Sequence, residues 1–137
     1  MKVTQVLETC LYVDDLARAE IFYTEVLGLA VESRQDGRHV FLRCGQRMLL
    51  LFNPLASRES DGHFPPHGSF GSGHVAFGVH EAALDAWSAQ LRESGVPIEP
   101  VIDWPGGGRS LYFRDPAGNS LELATPRIWG ISEASLT

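Results

Sequence analysis

The pattern of apolar and polar residues changes its period several times along this chain, and each change marks a predicted element. Strand-forming residues over 6–13 give way to apolar positions at helical spacing from residue 16 onward, and Gly28 stands where a left-handed helix C-cap is expected. Three further strands follow, at residues 30–35, 38–44 and 47–53. The first part of the chain therefore has the predicted order β-α-β-β-β.

The same order of elements returns in the second part of the chain. A strand is predicted at residues 73–79 and a helix at 81–94, with Gly95 at its end. Three strands follow, at residues 96–102, 109–114 and 120–125. An internal repeat of about 60 residues is a stronger guide to the fold than any single element.

This repeat predicts one domain made of two modules. We expect a single α+β domain over residues 1–137, with modules at 3–54 and 73–126 joined by a loop at 55–72. The loop is rich in Gly, Pro, Ser and His and has no periodicity. A loop of this length in a compact domain is typical of a linker or a functional lid.

Composition narrows the classes of partner. The chain has 137 residues, with 11 Lys and Arg against 17 Asp and Glu, which gives a formal net charge of −6. This acidic balance disfavours nucleic acid or an anionic membrane surface as the main partner. We see neither a signal peptide nor an apolar run of about 18 residues, so a cytoplasmic protein without a membrane partner is expected. Cys10 and Cys44 form no CxxC pair, which favours free thiols.

Several of the predicted strands have one bulky apolar face and one face of small or polar side chains. Because side chains alternate across a strand, Glu8, His74 and Glu122 lie on faces of the second kind. Small neighbours such as Ala76 and Ala124 leave space beside them. Ionised groups in a core are costly unless they are paired or bound to metal, so these residues indicate either a divalent-cation site or a self-satisfied ionic cluster.

Motifs in both modules are similar to those of a known family. They are LYVDDL at 11–16, FY at 22–23 and VLGL at 26–29 in the first module, and GHVAF at 73–77, FRDPAGN at 113–119 and LEL at 121–123 in the second. With these motifs the chain resembles the vicinal oxygen chelate superfamily, which includes glyoxalase I, extradiol dioxygenases, fosfomycin-resistance thiol transferases and bleomycin-resistance proteins. The resemblance implies that the modules form a curved mixed-sheet cup, the glyoxalase/bleomycin-resistance/dioxygenase-like fold, in a homodimer.

The resemblance also implies a metal centre. Metal ligands in this family come from the opening and closing strands of the modules; His74 and Glu122 fall on two of these positions, and Glu8 falls where many members have His or Gln. Residues 47–52 offer no ligand where glyoxalase I members have a Glu that also serves as catalytic base. The implied cofactor is one divalent ion per site, and this oxygen-rich ligand set suits Mn, Ni, Zn, Fe or Mg.

Further residues are candidates for catalysis and for substrate binding. His67, in the loop between the modules, is the expected general acid or base beside Glu122, and an exposed loop histidine is the alternative interpretation. His39 and His80 are expected at the surface. The expected substrate contacts, for which solvated or core positions are the alternative, are Arg109, Tyr112, Arg114, Leu50 and Phe52.

Together these features predict a metal-dependent enzyme that acts on a small oxygen-chelating substrate, with a thiol as an optional co-substrate. A lyase or isomerase of the glyoxalase type is the leading hypothesis. The alternatives are an extradiol dioxygenase, a fosfomycin-type thiol transferase and a metal-free binding protein of the bleomycin-resistance type. The substrate stays open, because similar frameworks carry different chemistries.

Overall fold

The computed structural model describes residues 1–59 and 62–136, and the chain divides into two compact units. Unit 1 comprises Met1–Gly71, and unit 2 comprises Ser72–Thr137. Each unit has its own four-stranded sheet and its own set of buried apolar side chains.

Unit 1 has the order β-α-β-β-β with one short helix added at its end. Its strands are β1 (Glu8–Tyr12), β2 (Ala30–Gln35), β3 (His39–Cys44) and β4 (Arg47–Phe52). Its helices are α1 (Leu16–Ile21), which continues into a π-helical turn at Phe22–Val26, and α2 (Pro54–Ser57). The strand order is β1-β4-β3-β2, with β1 parallel to β4 and the other pairs antiparallel.

Unit 2 repeats this topology. Its strands are β5 (His74–Gly78), β6 (Ile98–Asp103), β7 (Arg109–Arg114) and β8 (Ser120–Ala124). Its helical segments are a 3₁₀ turn at Glu81–Ala83 that leads into α3 (Leu84–Glu93), and 3₁₀ turns at Pro126–Trp129 and Glu133–Ser135. The strand order is β5-β8-β7-β6, and β5 is parallel to β8.

The α+β class and the tandem order of the elements are confirmed. Local chemistry explains where the first helix begins and ends: Oδ1 of Asp15 accepts a hydrogen bond from the Arg18 amide at 2.9 Å. Gly28 ends the helical segment with φ near +71°, a conformation that favours glycine. The extent of the modules at 3–54 and 73–126 stays a prediction.

Two boundaries differ from the sequence expectation. β1 begins at Glu8 rather than at residue 6, and the side chains of Val6 and Leu7 are exposed. The loop predicted from residue 55 begins inside a helix, because Oδ1 of Asn53 accepts a hydrogen bond from the Leu55 amide at 3.0 Å and caps α2. Within the described ranges, the helices are too short to cross a lipid bilayer.

Candidate functional site

Strand pairing in unit 2 brings three chemically active side chains to one face of its sheet. In the parallel pair, His74 lies opposite Ser120 and Ala76 lies opposite Glu122. In the antiparallel pair of β7 with β8, Tyr112 lies opposite Glu122. Residues paired in register share a face, so His74, Tyr112 and Glu122 extend from the same side.

His74 and Glu122 approach each other closely on this face. Nε2 of His74 lies 3.4 Å from Oε2 of Glu122, and Nδ1 of His74 lies 3.0 Å from the carbonyl oxygen of Ser120. Because a carbonyl only accepts, Nδ1 of His74 donates this hydrogen bond, and Nε2 is the ring nitrogen that faces the carboxylate. Metal-ligating histidines make the same second hydrogen bond.

Glu122 has a buried oxygen that the protein does not satisfy. The residue is 5% exposed, and within the described part of the chain its Oε1 has no hydrogen-bond partner. A buried carboxylate in this condition is costly. A divalent cation would remove the cost by neutralising the charge and filling the space between oxygen and imidazole ligands, so the pair fits the metal that the sequence predicts.

Tyr112 is affected by the same carboxylate. Burial, followed by the negative charge of Glu122, raises the pKa of Tyr112. Its ring stacks against His74, with centroids 6.4 Å apart and an angle of 22° between the planes. Tyr112 is therefore a protonated phenol at neutral pH, on the face that carries His74 and Glu122. Its assignment as a substrate contact stays a prediction.

The third predicted ligand belongs to unit 1. Glu8 is an exposed residue at the start of β1, opposite Met48 of β4. Among residues 1–59 and 62–136, no three His, Cys, Asp or Glu side chains form a group that could hold a metal ion. The structure thus brings His74 and Glu122 together, and the full set of three stays a prediction.

The two arginines of β7 have carboxylate partners inside unit 2. Nε of Arg109 lies 2.6 Å from Oδ1 of Asp103. Nε of Arg114 lies 2.8 Å from Oε1 of Glu99. By strand alternation Arg109 extends from the face opposite to Tyr112. A role for either arginine in substrate binding stays a prediction. To bind a substrate anion, the arginine would have to leave its carboxylate partner.

The C-terminal segment covers one end of the face that carries His74. A Cβ atom built on Gly78 would lie 2.5 Å from Cδ2 of Leu136, so a side chain at this position would displace the leucine. Glu133 holds the segment in place: its Oε1 accepts a hydrogen bond from the Glu81 amide at 2.7 Å, and its Oε2 lies 3.0 Å from Nδ1 of His80.

Unit 1 contains an open groove of about 800 Å³, here called the unit 1 groove. Rings and apolar side chains form most of its wall, including Tyr12, His39, Phe41, Leu50, Phe52 and Phe64. Polar groups are added by Glu8, Cys10, Arg38 and His67. Leu50 and Phe52, which the sequence proposes as substrate contacts, thus line a cavity, and their contact with a substrate stays a prediction.

His67, which the sequence predicts to be a general acid or base, lies in the unit 1 groove. Its Nδ1 lies 2.7 Å from the hydroxyl of Tyr12, and its ring meets Phe52 edge to face at 4.6 Å. Its amide donates to the carbonyl oxygen of Ser57 at 3.0 Å. Burial, followed by the neighbouring Cys10, raises the pKa of Tyr12 to about 12. The hydroxyl therefore keeps its proton and can orient the imidazole in either tautomer, since it both donates and accepts.

His39 also lines the groove, although the sequence reasoning placed it at the surface. Its ring stacks on Phe41 at 3.9 Å, and its Nδ1 is buried with no hydrogen-bond partner in the described ranges. Burial, followed by the charge of Arg38, lowers the pKa of His39. Strand alternation was the signal that could have found it, because His39 precedes Phe41 by two residues and pairs with Phe52.

Three comparisons with known proteins agree on one family. The model of the Glyoxalase/Bleomycin resistance protein/Dioxygenase superfamily matches residues 5–123. The chain is 34% identical over 116 residues to the glutathione transferase FosA of Serratia marcescens, which covers 82% of this chain and 74% of that protein. It is 26% identical over 136 residues to the metallothiol transferase FosB of Staphylococcus epidermidis, at 91% and 84% coverage.

Among solved structures, a lactoylglutathione lyase from Agrobacterium tumefaciens superposes with a TM-score of 0.92 and 40% sequence identity. The match covers 96% of this chain and 100% of that one.

Proposed function

Because the chain belongs to the glyoxalase/bleomycin resistance protein/dioxygenase superfamily, we propose that it is a metal-dependent lyase or isomerase of the glyoxalase type. The observation that carries the proposal is the His74–Glu122 pair, with 3.4 Å between Nε2 and Oε2 and a buried, unsatisfied Oε1. The similarity to a lactoylglutathione lyase, at 40% identity over nearly the whole chain, supports this subclass.

In this proposal His74 and Glu122 hold one divalent ion, and Glu8 is the third ligand on the strength of the sequence resemblance. When bound, such an ion supplies a Lewis acid for two neighbouring substrate oxygens. The two carboxylates offset its charge, and the hydrogen bond from Nδ1 to the Ser120 carbonyl keeps Nε2 of His74 available as a ligand. The metal is one of Mn, Ni, Zn, Fe or Mg.

His67 is the proposed proton carrier. An isomerisation of this class moves one proton between adjacent carbons, so one base that takes up the proton and returns it is sufficient. Nδ1 of His67 is held by Tyr12, which leaves Nε2 to exchange the proton. A base outside β4 is needed because this chain lacks the catalytic Glu that glyoxalase I members have on the corresponding strand. In its place β4 has Met48, Leu50 and Phe52 beside β1.

A thiol co-substrate and a homodimer belong to the same proposal. The printed names of two relatives, a glutathione transferase and a metallothiol transferase, indicate that those proteins use thiols. They also favour a second candidate function, the metal-dependent addition of a thiol to an epoxide such as fosfomycin. The two candidates share the metal and the thiol and differ in the electrophile.

Metal analysis followed by a substrate panel tests the proposal. Protein purified without chelators or an affinity tag is reconstituted with each candidate metal, and the metal content per chain is measured. About one ion per chain is expected in the natural sequence, and Glu122→Ala should lose it, whereas Glu93→Ala, an exposed carboxylate of the same unit, should keep it. A Glu122→Ala protein with full occupancy would overturn the assignment.

The panel pairs methylglyoxal with thiols, fosfomycin with thiols, and catechols with oxygen. Turnover of the hemithioacetal of methylglyoxal supports the lyase or isomerase. Turnover of fosfomycin with a thiol, without turnover of the hemithioacetal, supports the second candidate. Oxygen uptake with a catechol contradicts both candidates.

A further inference from the structure

The wall of the unit 1 groove contains a continuous series of ring contacts. His39 stacks flat on Phe41 with centroids 3.9 Å apart, and Phe41 meets Phe52 at 5.5 Å with an angle of 69°. Phe52 meets His67 edge to face at 4.6 Å, and His67 meets Tyr12 at 5.9 Å. Five rings on three strands and one loop therefore touch in sequence, and such a wall offers both faces and edges to another ring.

Of the two histidines in this wall, His39 behaves as an apolar ring. Burial lowers the pKa of His39, and the charge of Arg38 adds to the effect, so the ring is neutral at neutral pH. Its Nδ1 is buried rather than directed to solvent. A neutral imidazole stacked on Phe41 extends the aromatic surface instead of interrupting it with charge.

The segment that carries Phe64 and His67 is held against the rest of unit 1. Cζ of the Arg58 guanidinium lies 5.2 Å from the centroid of the Phe70 ring. A Cβ on Gly68 would lie 2.5 Å from Cγ of Arg58 and 3.0 Å from the Pro54 carbonyl oxygen, so the backbone passes close to α2. These contacts, together with the bond from the His67 amide to Ser57, make the segment a fixed wall of the groove.

The size of the groove exceeds what a three-carbon substrate fills. A volume of about 800 Å³ lies in the upper part of the range that is usual for sites of drug-sized ligands. The same groove contains the carboxylate of Glu8 and the imidazole of His67. A ligand that carries both a ring and oxygen functions would place the first on the rings and the second near these polar groups.

We propose that the unit 1 groove selects a substrate with an aromatic ring attached to a pair of vicinal oxygen functions, such as an aryl α-hydroxyketone or an aryl ketoaldehyde adduct. This inference deepens the proposed function by naming its substrate class, and it rests on that function for the role of the oxygens. The ring occupies the space between Phe41, Phe52 and Phe64.

A matched pair of ligands tests the selection directly. The probes are 2-hydroxyacetophenone and hydroxyacetone, which carry the same oxygen pair and differ by the ring. Isothermal titration calorimetry on the full chain, with chelator and again after reconstitution with zinc, should give at least tenfold tighter binding of the aryl compound in both states, because burying a ring adds a large apolar contact. Equal dissociation constants would overturn the proposal.

Two exposed aromatic residues supply the comparison. Phe64 lines the groove and is 68% exposed, whereas Trp129 is 80% exposed and belongs to unit 2. Phe64→Ala should weaken the aryl ligand about three- to tenfold without affecting hydroxyacetone, and Trp129→Ala should leave the binding of both ligands unchanged. Equal effects of the two variants would contradict the groove as the binding site. If the protein binds no metal but still prefers the aryl ligand, the groove proposal is supported and the proposed metal-dependent function is wrong.

Discussion

Replacing Glu122 with methionine should stabilise the metal-free protein, although the same change removes the proposed metal site. Methionine has a volume close to that of glutamate and has no oxygen that requires a partner. The glutamate is 5% exposed, and its Oε1 is without a hydrogen bond in the described part of the chain. Apolar residues of similar volume often stabilise a protein when they replace buried ionic groups and leave no buried charge without a partner. The neighbour of Glu122 meets this condition, because the side chain of His74 is 52% exposed and stays solvated.

The size of the effect follows from the unsatisfied oxygen. Leaving one buried polar group without a partner costs about 1–3 kcal/mol. For a chain of this length, about 1 kcal/mol shifts Tm by roughly 3 °C, so Glu122→Met should raise the Tm of the metal-free protein by roughly 3–10 °C. Metal reverses the order of stability: at a free ion concentration of about 1,000 times Kd the natural sequence gains about 4.1 kcal/mol, which exceeds the advantage of the variant, and the variant gains none.

Thermal unfolding followed by circular dichroism, with EDTA and with a titrated divalent ion, measures both effects. Glu93→Met controls for the loss of an exposed carboxylate in the same unit and should change Tm by no more than about 1 °C. A lower Tm for Glu122→Met in EDTA would refute the reasoning, because it would show that the protein satisfies the carboxylate without a cation.

Three further predictions concern other parts of the structure. Gly108→Ala should lower stability by about 1–3 kcal/mol in thermal unfolding, because φ is near +86° and the new Cβ would lie 2.7 Å from Oγ1 of Thr125, whereas Gly106→Ala, with open space around it, should change little. His67→Gln should lower kcat by about 10²–10⁴-fold with metal content unchanged, while His63→Gln in the same loop retains activity; equal losses would refute the role of His67. Hydrogen bonds from the Glu81 amide and then from His80 hold the pKa of Glu133 below its ordinary value of 4.5, so the docking of the C-terminal segment is complete above that value and lost as pH falls through the lower pKa of the folded state. The NMR protection factor of the Glu81 amide, which corrects the exchange rate for its intrinsic pH dependence, should fall over that range, and it should already be low at pH 7 in Glu133→Ala.

The order of the elements could be predicted from sequence because each depends on local signals. Asp15 and Gly28 delimit the first helical segment, and both work through hydrogen bonds or backbone angles within a few residues. The π-helical turn at Phe22–Val26 could not be predicted in this way, because its residues have ordinary helical spacing. The start of β1 at Glu8 depends on where β4 begins, because Glu8 pairs with Met48, a residue distant in the sequence.

The candidate site, too, could be predicted only where local patterns determine it. His74 and Glu122 were found because alternation fixes the face of each strand, and pairing of β5 with β8 does the rest. The contact of His67 with Tyr12 joins residues 55 positions apart, so no local pattern indicates it. The ion pairs of Arg109 and Arg114 likewise depend on β6 lying beside β7, and sequence alone left both arginines open as substrate contacts.

The in-register pairing of β5 with β8 restricts the kinds of genetic change that this protein tolerates. A single in-frame codon inserted within β8 before Glu122 would rotate that side chain to the opposite face and leave His74 without its neighbour. Insertions of the same size in the turn at residues 115–118 would leave the ladder intact, since this turn connects β7 to β8 outside the paired residues. Homologues should therefore differ in length at the turns, and the two strands should vary by substitution alone.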